Sequence, residues 1–223
     1  MTFKIMLVLA SRSPRRRRLL SLGGWMFHVL AADVDETRLP GESPDAFVRR
    51  LAREKALAVA PQTRPGAVII GADTAVVDGE DILGKPADMA EAERMLHRLR
   101  GHTHQVYTGI AGYRPADGFF VDDMCVTEVP MRAYSDEEIN AYLATGDPLD
   151  KAGGYAIQHR GFHPVADGGL TGCYANVVGL PLCHLVRMLK KLDVPPLADV
   201  PRACQNALHY RCSVYQAVLR GEA

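Results

Sequence analysis

Apolar runs alternate along the chain with amphipathic stretches, and each change of period is marked by a cap or turn residue. Residues 4–10 are almost continuously apolar and stop at Ser11, the pattern of a strand buried on both faces. Ser13 before Pro14 predicts a helix start, with an N-cap oxygen and a proline at the first helical position. Gly23-Gly24 ends that helix. Residues 27–34 alternate weakly and predict a second strand. Ser43-Pro44 opens a helix to about Ala60, with an apolar stripe at Val48, Leu51, Ala52 and Val59. Residues 67–77 predict a buried strand, turned at Asp78-Gly79. Asp88-x-x-Glu91 predicts a capped helix ending at Gly101, and Ser135-x-x-Glu138 a second one closed by Gly146. Between them, 105–113 and 119–132 predict two long strands joined near Asp117-Gly118. A glycine-rich stretch covers 152–172, and 181–192 predict a helix. Pro195, Pro196 and Pro201 mark a linker, and 202–221 predict a terminal helix. This alternation predicts an α/β fold: a mixed sheet with flanking helices.

Composition narrows the function classes. Hydrophobic residues make up 48% and charged ones 23%, which suits a globular domain and excludes a disordered chain. Lys+Arg and Asp+Glu both number 26, and this zero balance argues against nucleic acid or a membrane surface as the partner. The early apolar run, Ile5 to Ala10, is far short of the roughly 20 residues that span a bilayer. The basic cluster follows that run, where a secretory signal has it in front. Five cysteines with no C-x-x-C pair predict reduced thiols in a cytoplasmic protein, without a disulfide frame or structural zinc.

Several charged positions conflict with their local surroundings. Arg15, Arg16, Arg17 and Arg18 fill the first turn of a helix, the end that carries partial positive charge. Either an anion sits there, cradled by backbone N–H groups, Ser11, Ser13 and guanidinium groups, or the arginines spread into water. Successive helical residues point about 100° apart, so four cannot face one ligand. Lys55 lies inside the apolar stripe of its helix, and either snorkels to the edge or points into a cleft toward an anion. Asp73 interrupts an apolar strand; it needs a partner or a metal there, or else ends the strand in a turn. Glu36 closes the cluster Asp33-x-Asp35-Glu36 just after a predicted strand, either at a ligand site or in a solvated loop. Lys85, in Gly84-Lys85-Pro86, sits on a rigid turn that aims one ammonium.

Together these residues are suited to a metal–phosphate substrate: carboxylates for a divalent cation, cations and backbone N–H groups for phosphate oxygens. The sequence has no G-x-x-x-x-G-K-[ST], no G-x-S-x-G and no H-E-x-x-H. His102 and His104 share one strand face, as a metal pair or as hydrogen-bonded structural groups. His159 and His163 are read as solvated in the glycine-rich loop. Cys183 beside His184 is not required by this chemistry.

Nine motifs in order carry a resemblance to a known family. They are Leu9-Ala10-Ser11-Arg12-Ser13-Pro14-Arg15-Arg16, Val34-Asp35-Glu36, Arg53-Glu54-Lys55-Ala56, Gly71-Ala72-Asp73-Thr74, Gly84-Lys85-Pro86, His104-Gln105-Val106-Tyr107-Thr108-Gly109, Asp150-Lys151-Ala152-Gly153, Tyr155-Ala156-Ile157-Gln158 and Asn176-Val177-Val178-Gly179-Leu180-Pro181. The sequence resembles the Maf family of nucleoside triphosphate pyrophosphatases. The resemblance implies hydrolysis of a nucleoside triphosphate to monophosphate and pyrophosphate with a divalent cation, Mg²⁺ or Mn²⁺. It implies two lobes around a deep cleft, related to the inosine-triphosphatase type, and a homodimer. It makes residues 1–193 the pyrophosphatase domain and 194–223 a Pro-rich linker with a helical extension. By motif, Asp73 is the proton acceptor, Glu36 and Asp73 hold the metal, and Ser11, Arg16, Lys55 and Lys85 grip the triphosphate. Arg15, Thr74 and Gln158 stand at the positions that track substrate choice, and their combination resembles the dTTP/UTP branch. The alternatives are a 7-methyl-GTP or broader-specificity enzyme and a non-catalytic, nucleotide-binding regulator of cell division. Two departures stand out: His159 replaces a glycine, and 169–175 lack an acidic residue for which Asp167 is the nearest substitute.

Overall fold

Strands β1 (Met6–Ala10), β2 (Phe27–Leu30), β3 (Ala67–Asp78), β4 (Asp81–Leu83), β5 (Thr103–Arg114) and β6 (Phe119–Pro130) form one mixed sheet. Its order is β2-β1-β3-β5-β6, with β4 pairing β3 off that path. The computed structural model describes residues 6–166 and 168–222; Lys4, Ile5 and Asp167 lie outside them. Helices are α1 (Pro14–Ser21), α2 (Pro44–Val59), α3 (Met89–Leu99), α4 (Asp136–Leu143), α5 (Tyr174–Val178), α6 (Leu182–Lys190), α7 (Val200–Leu208) and α8 (Tyr215–Arg220). The α/β class with a mixed sheet and flanking helices is as the residue pattern predicts. Among the described residues no helix is long and apolar enough to cross a membrane.

The first three strands are parallel, and β3, β5 and β6 form an antiparallel ribbon of strands each 12 residues long. That ribbon outruns β1 and links two cores. At one end Leu7, Leu9, Val68 and Ile70 pack with Leu20, Leu185 and Leu189. At the other, Val76, Leu83, Val106 and Val129 pack with Leu96, Leu99, Tyr134 and Tyr142. Between them β3 has an open edge. Ile70 is its last residue paired with β1 and Val76 its first paired with β4, so among the described residues no strand pairs 71–75 on that side. The functional cleft opens at this break.

Helix α2 lies across the ribbon at unusually short range. A Cβ on Gly71 would stand 1.9 Å from the Ala52 carbonyl oxygen, and one on Gly109 2.5 Å from that of Val48. Only glycine permits this approach, and the register pairs Asp73 with Gly109 two residues on from Gly71, which puts Asp73 beside both contacts.

Four local expectations are revised. Strand β2 ends at Leu30, not residue 34, because it pairs only with β1, whose last pair is Ala10 with Leu30. The single terminal helix is two. Helix α7 ends at Leu208, and His209 enters the left-handed region with φ 49°. Tyr210 then donates its hydroxyl to the Leu170 and Gly172 carbonyls at 2.8 and 3.0 Å, anchoring the chain off the helical path. The proline stretch before α7 lies against the body: Trp25 Nε1 donates to the Pro195 carbonyl at 3.0 Å and the Leu197 N–H to that of Gly23 at 2.9 Å. Pro201 falls in the first turn of α7, where a missing N–H costs nothing. His159 is not a solvated loop residue. Its Nδ1 accepts the backbone N–H groups of Gly161 (3.1 Å) and Phe162 (2.9 Å), and its ring packs edge-on against Tyr142.

Candidate active site

The cleft, about 580 Å³, is walled by the turn before α1, the loop after β2, the middle of β3, the β4 turn and the 150–158 and 177–179 segments. Ser11, Arg15, Arg16, Glu36, Lys55, Asp73, Thr74, Lys85 and Gln158 all line it. The sequence scatters these nine over about 150 positions; the break beside β3 brings them together.

Asp73 sits in mid-strand, with no turn at that point, and is only 6% exposed. Its partner comes from α2. The apolar stripe sets that helix's face, and Lys55, 8% exposed, is carried inward with it. The Lys55 ammonium lies 2.6 Å from Asp73 Oδ1 and 2.7 Å from Glu36 Oε1, bridging the two acids. Burial raises the Asp73 carboxyl above its ordinary value, and the charges of Lys55 and Arg16 offset that only in part. For the more open Glu36 the balance reverses. Burial pushes it up, but the bond and charge of Lys55, with Lys85 and Arg16 beyond, hold it below its ordinary value.

The four arginines divide as the helical geometry demands. Arg16 turns inward: Nε donates to the Gly179 carbonyl at 2.9 Å and Nη2 to Thr74 Oγ1 at 3.0 Å, with Ser11 Oγ 3.5 Å from Nη1. Arg15 meets Asp150 at 3.3 Å across the mouth of the cleft. Arg17 and Arg18 are exposed. Ser13 caps α1 by accepting the Arg16 N–H at 3.3 Å, and Ser11 accepts the Ser13 N–H at 3.2 Å. Thr74 Oγ1 is 2.9 Å from Thr108 Oγ1, which donates to the Asn176 carbonyl at 3.2 Å. Lys85 and Gln158 are exposed on the cleft wall.

Sequence reasoning did not single out four contributors. Arg50 holds the loop that carries Glu36, donating to both Glu42 carboxylate oxygens (2.7 and 2.9 Å) and to the Thr37 carbonyl (3.0 Å). Lys151, buried, bonds Asp147 at 2.8 Å and also Asp150, which fixes the acid that meets Arg15. Thr108 follows from register, since it lies opposite Thr74. Asn176 is fully buried, its side-chain amide donating to the Val106 carbonyl at 2.9 Å.

The two histidines of β5 and its leading turn form no metal pair. His102 Nε2 is 3.0 Å from Asp78 and His104 Nε2 2.8 Å from the Tyr155 hydroxyl. Burial pushes the His104 imidazole down to about 4. Among the described residues no three His, Cys, Asp or Glu side chains converge as a ready cage for a metal ion. Glu36 and Asp73 remain as a two-carboxylate donor set. That suits Mg²⁺ or Mn²⁺, which take one or two carboxylates and complete their shell with substrate phosphate and water.

Comparison with known proteins gives the family. The Maf-like protein profile matches residues 6–192. The dTTP/UTP pyrophosphatase of Geobacter sulfurreducens is 49% identical over 187 residues, 83% of this chain and 96% of the relative. The dTTP/UTP pyrophosphatase of Myxococcus xanthus is 50% identical over 191 residues, 85% of this chain and 94% of the relative. Among solved structures, the Staphylococcus aureus Ham1 protein aligns over 98% of this chain and 100% of its own, with a TM-score of 0.45 and 18% identity, too loose a likeness to bear on function. The length of the profile match and the near-half identity over almost the whole of these relatives show that the chain belongs to the Maf family.

Proposed function

We propose that the protein hydrolyses dTTP and UTP to the nucleoside monophosphate and pyrophosphate, clearing pyrimidine triphosphates from the nucleotide pool. What supports this most is a single observation: Lys55 holds Glu36 and Asp73 together on the floor of a cleft whose far wall is the Arg16-bearing turn of α1. The names of the relatives add the substrate.

The chemistry follows from the chain's own groups. Arg16, Lys85 and Lys55, with Ser11 and the N–H groups at the start of α1, hold the triphosphate oxygens. Asp73 is the proton acceptor. Lys55 occupies one of its carboxylate oxygens and leaves the other for the attacking water, and burial keeps it basic enough to take a proton. Water oxygen attacks the α-phosphorus, its proton passes to Asp73, the bond from the α-phosphorus to the bridging oxygen breaks, and pyrophosphate leaves against the cations. Glu36 and Asp73 would hold a divalent cation, whose charge, when bound, offsets that of the phosphate oxygens. Gln158 presents an amide with both a donor and an acceptor, as a pyrimidine edge requires, while Arg15 and Thr74 shape the same pocket. Residues 1–193 are the catalytic unit, and the free thiols fit a cytoplasmic setting.

Incubation with dTTP, UTP, CTP, GTP, ATP and 7-methyl-GTP in Mg²⁺ or Mn²⁺, with products separated by chromatography, tests the reading. Monophosphate and pyrophosphate from dTTP and UTP are expected. Orthophosphate with a diphosphate product, or a preference for 7-methyl-GTP, overturns it.

A further inference from the structure

The family profile stops at residue 192, yet the segment beyond it is bonded to the part of the chain that completes the cleft. Val194 and Val200 are buried in the same core as Leu182 and Leu185, Leu208 and Leu219 pack against it, and the Val218 carbonyl accepts Arg187 Nη1 at 3.2 Å. From this base two side chains reach back. Tyr210 donates its hydroxyl to the Leu170 and Gly172 carbonyls at 2.8 and 3.0 Å, and Ser213 Oγ donates to the Thr171 carbonyl at 2.7 Å. Residues 170–173 have no helix or strand of their own, and these three successive carbonyls share the two hydroxyl protons that the extension supplies.

Two paths lead from the clamped segment to the cleft. The Tyr210 ring packs on Tyr174 with centroids 5.3 Å apart, and Tyr174 donates to the Ile157 carbonyl at 3.3 Å, one residue before Gln158. Further on, α5 delivers the Asn176 carbonyl to Thr108 and the Gly179 carbonyl to Arg16. We propose that residues 193–222 are a positioning element of the site, with Tyr210 its principal residue: they fix residues 170–179 and thereby the wall that carries Gln158. This rests on the pyrimidine triphosphate reading above.

Tyr210→Phe in the full chain keeps the ring and removes only the donor. The KM for UTP and dTTP should rise about fivefold, the loss of roughly one hydrogen bond's worth of binding, with kcat changed less than about twofold. Amide hydrogen exchange should quicken at 156–158 and 170–179 and stay unchanged in α2. Ser213→Ala should move the same quantities by less, and it carries the test if Tyr210→Phe fails to fold. A merely structural role lowers Tm and the active fraction, and so kcat, while KM holds. Unchanged KM, or unchanged exchange at 156–158, overturns the proposal. If the wild-type protein turns over neither UTP nor dTTP, the functional reading fails by itself, and exchange alone decides the clamp: unchanged exchange at 156–158 in both variants ends it.

Discussion

Lys55 divides one ammonium between two acids, and this sets what each acid can do. Asp73 keeps one carboxylate oxygen clear of Lys55, in surroundings that favour its taking a proton. Asp73→Asn should therefore lose at least about 10²-fold in kcat with the fold intact, the usual contribution of a general base. Steady-state turnover of UTP, alongside a thermal melt, checks both halves. His104 offers a separate test through stability. Unfolded, its imidazole takes a proton near pH 6.5; folded, burial keeps the proton off until about 4. Its stabilisation is full above pH 6.5 and is lost as pH falls toward 4, by about 1.4 kcal/mol per pH unit in that window. His104→Gln should flatten this part of the slope, read as the difference between urea unfolding at pH 7 and pH 5. Asp73 was legible in the sequence as a lone charge in an apolar run, and Lys55 as a charge inside the apolar stripe of its helix. Arg50 was not, because its partners Glu42 and Thr37 sit in a loop with no period to read.

At the scale of elements, the caps announced the helices. Ser13, Asp88 and Ser135 all accept the N–H three residues on, as their spacing predicts. Boundaries set by tertiary partners were hidden: β2 stops where β1 stops, and the terminal helix breaks where Tyr210 finds carbonyls of the body. The approach of α2 to β3 was equally silent, since a glycine inside a strand does not say what will press on it. Gly71→Ala should push Ala52 away and lower stability by about 1–3 kcal/mol, the usual cost of overpacking. It should also cut turnover, because α2 carries Lys55. Gly66→Ala, where a Cβ meets nothing within 4 Å, should change stability by less than about 0.5 kcal/mol. Chemical denaturation with turnover measured in parallel distinguishes the two.

For the whole molecule, zero net charge conceals a local excess of cations. Arg12, Arg15, Arg16, Lys55, Lys85 and Lys151 line one cleft with Asp33, Glu36, Asp73 and Asp150. Inorganic tripolyphosphate, which has no base, should therefore bind with Mg²⁺ and stabilise the fold. At about 100 times its Kd the gain is about 2.7 kcal/mol, or roughly 5–10 °C in Tm for a chain of this size. Arg16→Ala should remove most of that shift in a thermal melt.

The open stretch of β3 has one more consequence. An unpaired strand margin ordinarily invites a strand from another chain, and from there aggregation. Here β1 and β4 close it off at both ends, leaving five residues and no room for a foreign strand to lie down. At Asp73, Thr74 and Ala75 the gap lines the cleft, so the break in pairing gives a small guest a place where a strand does not fit.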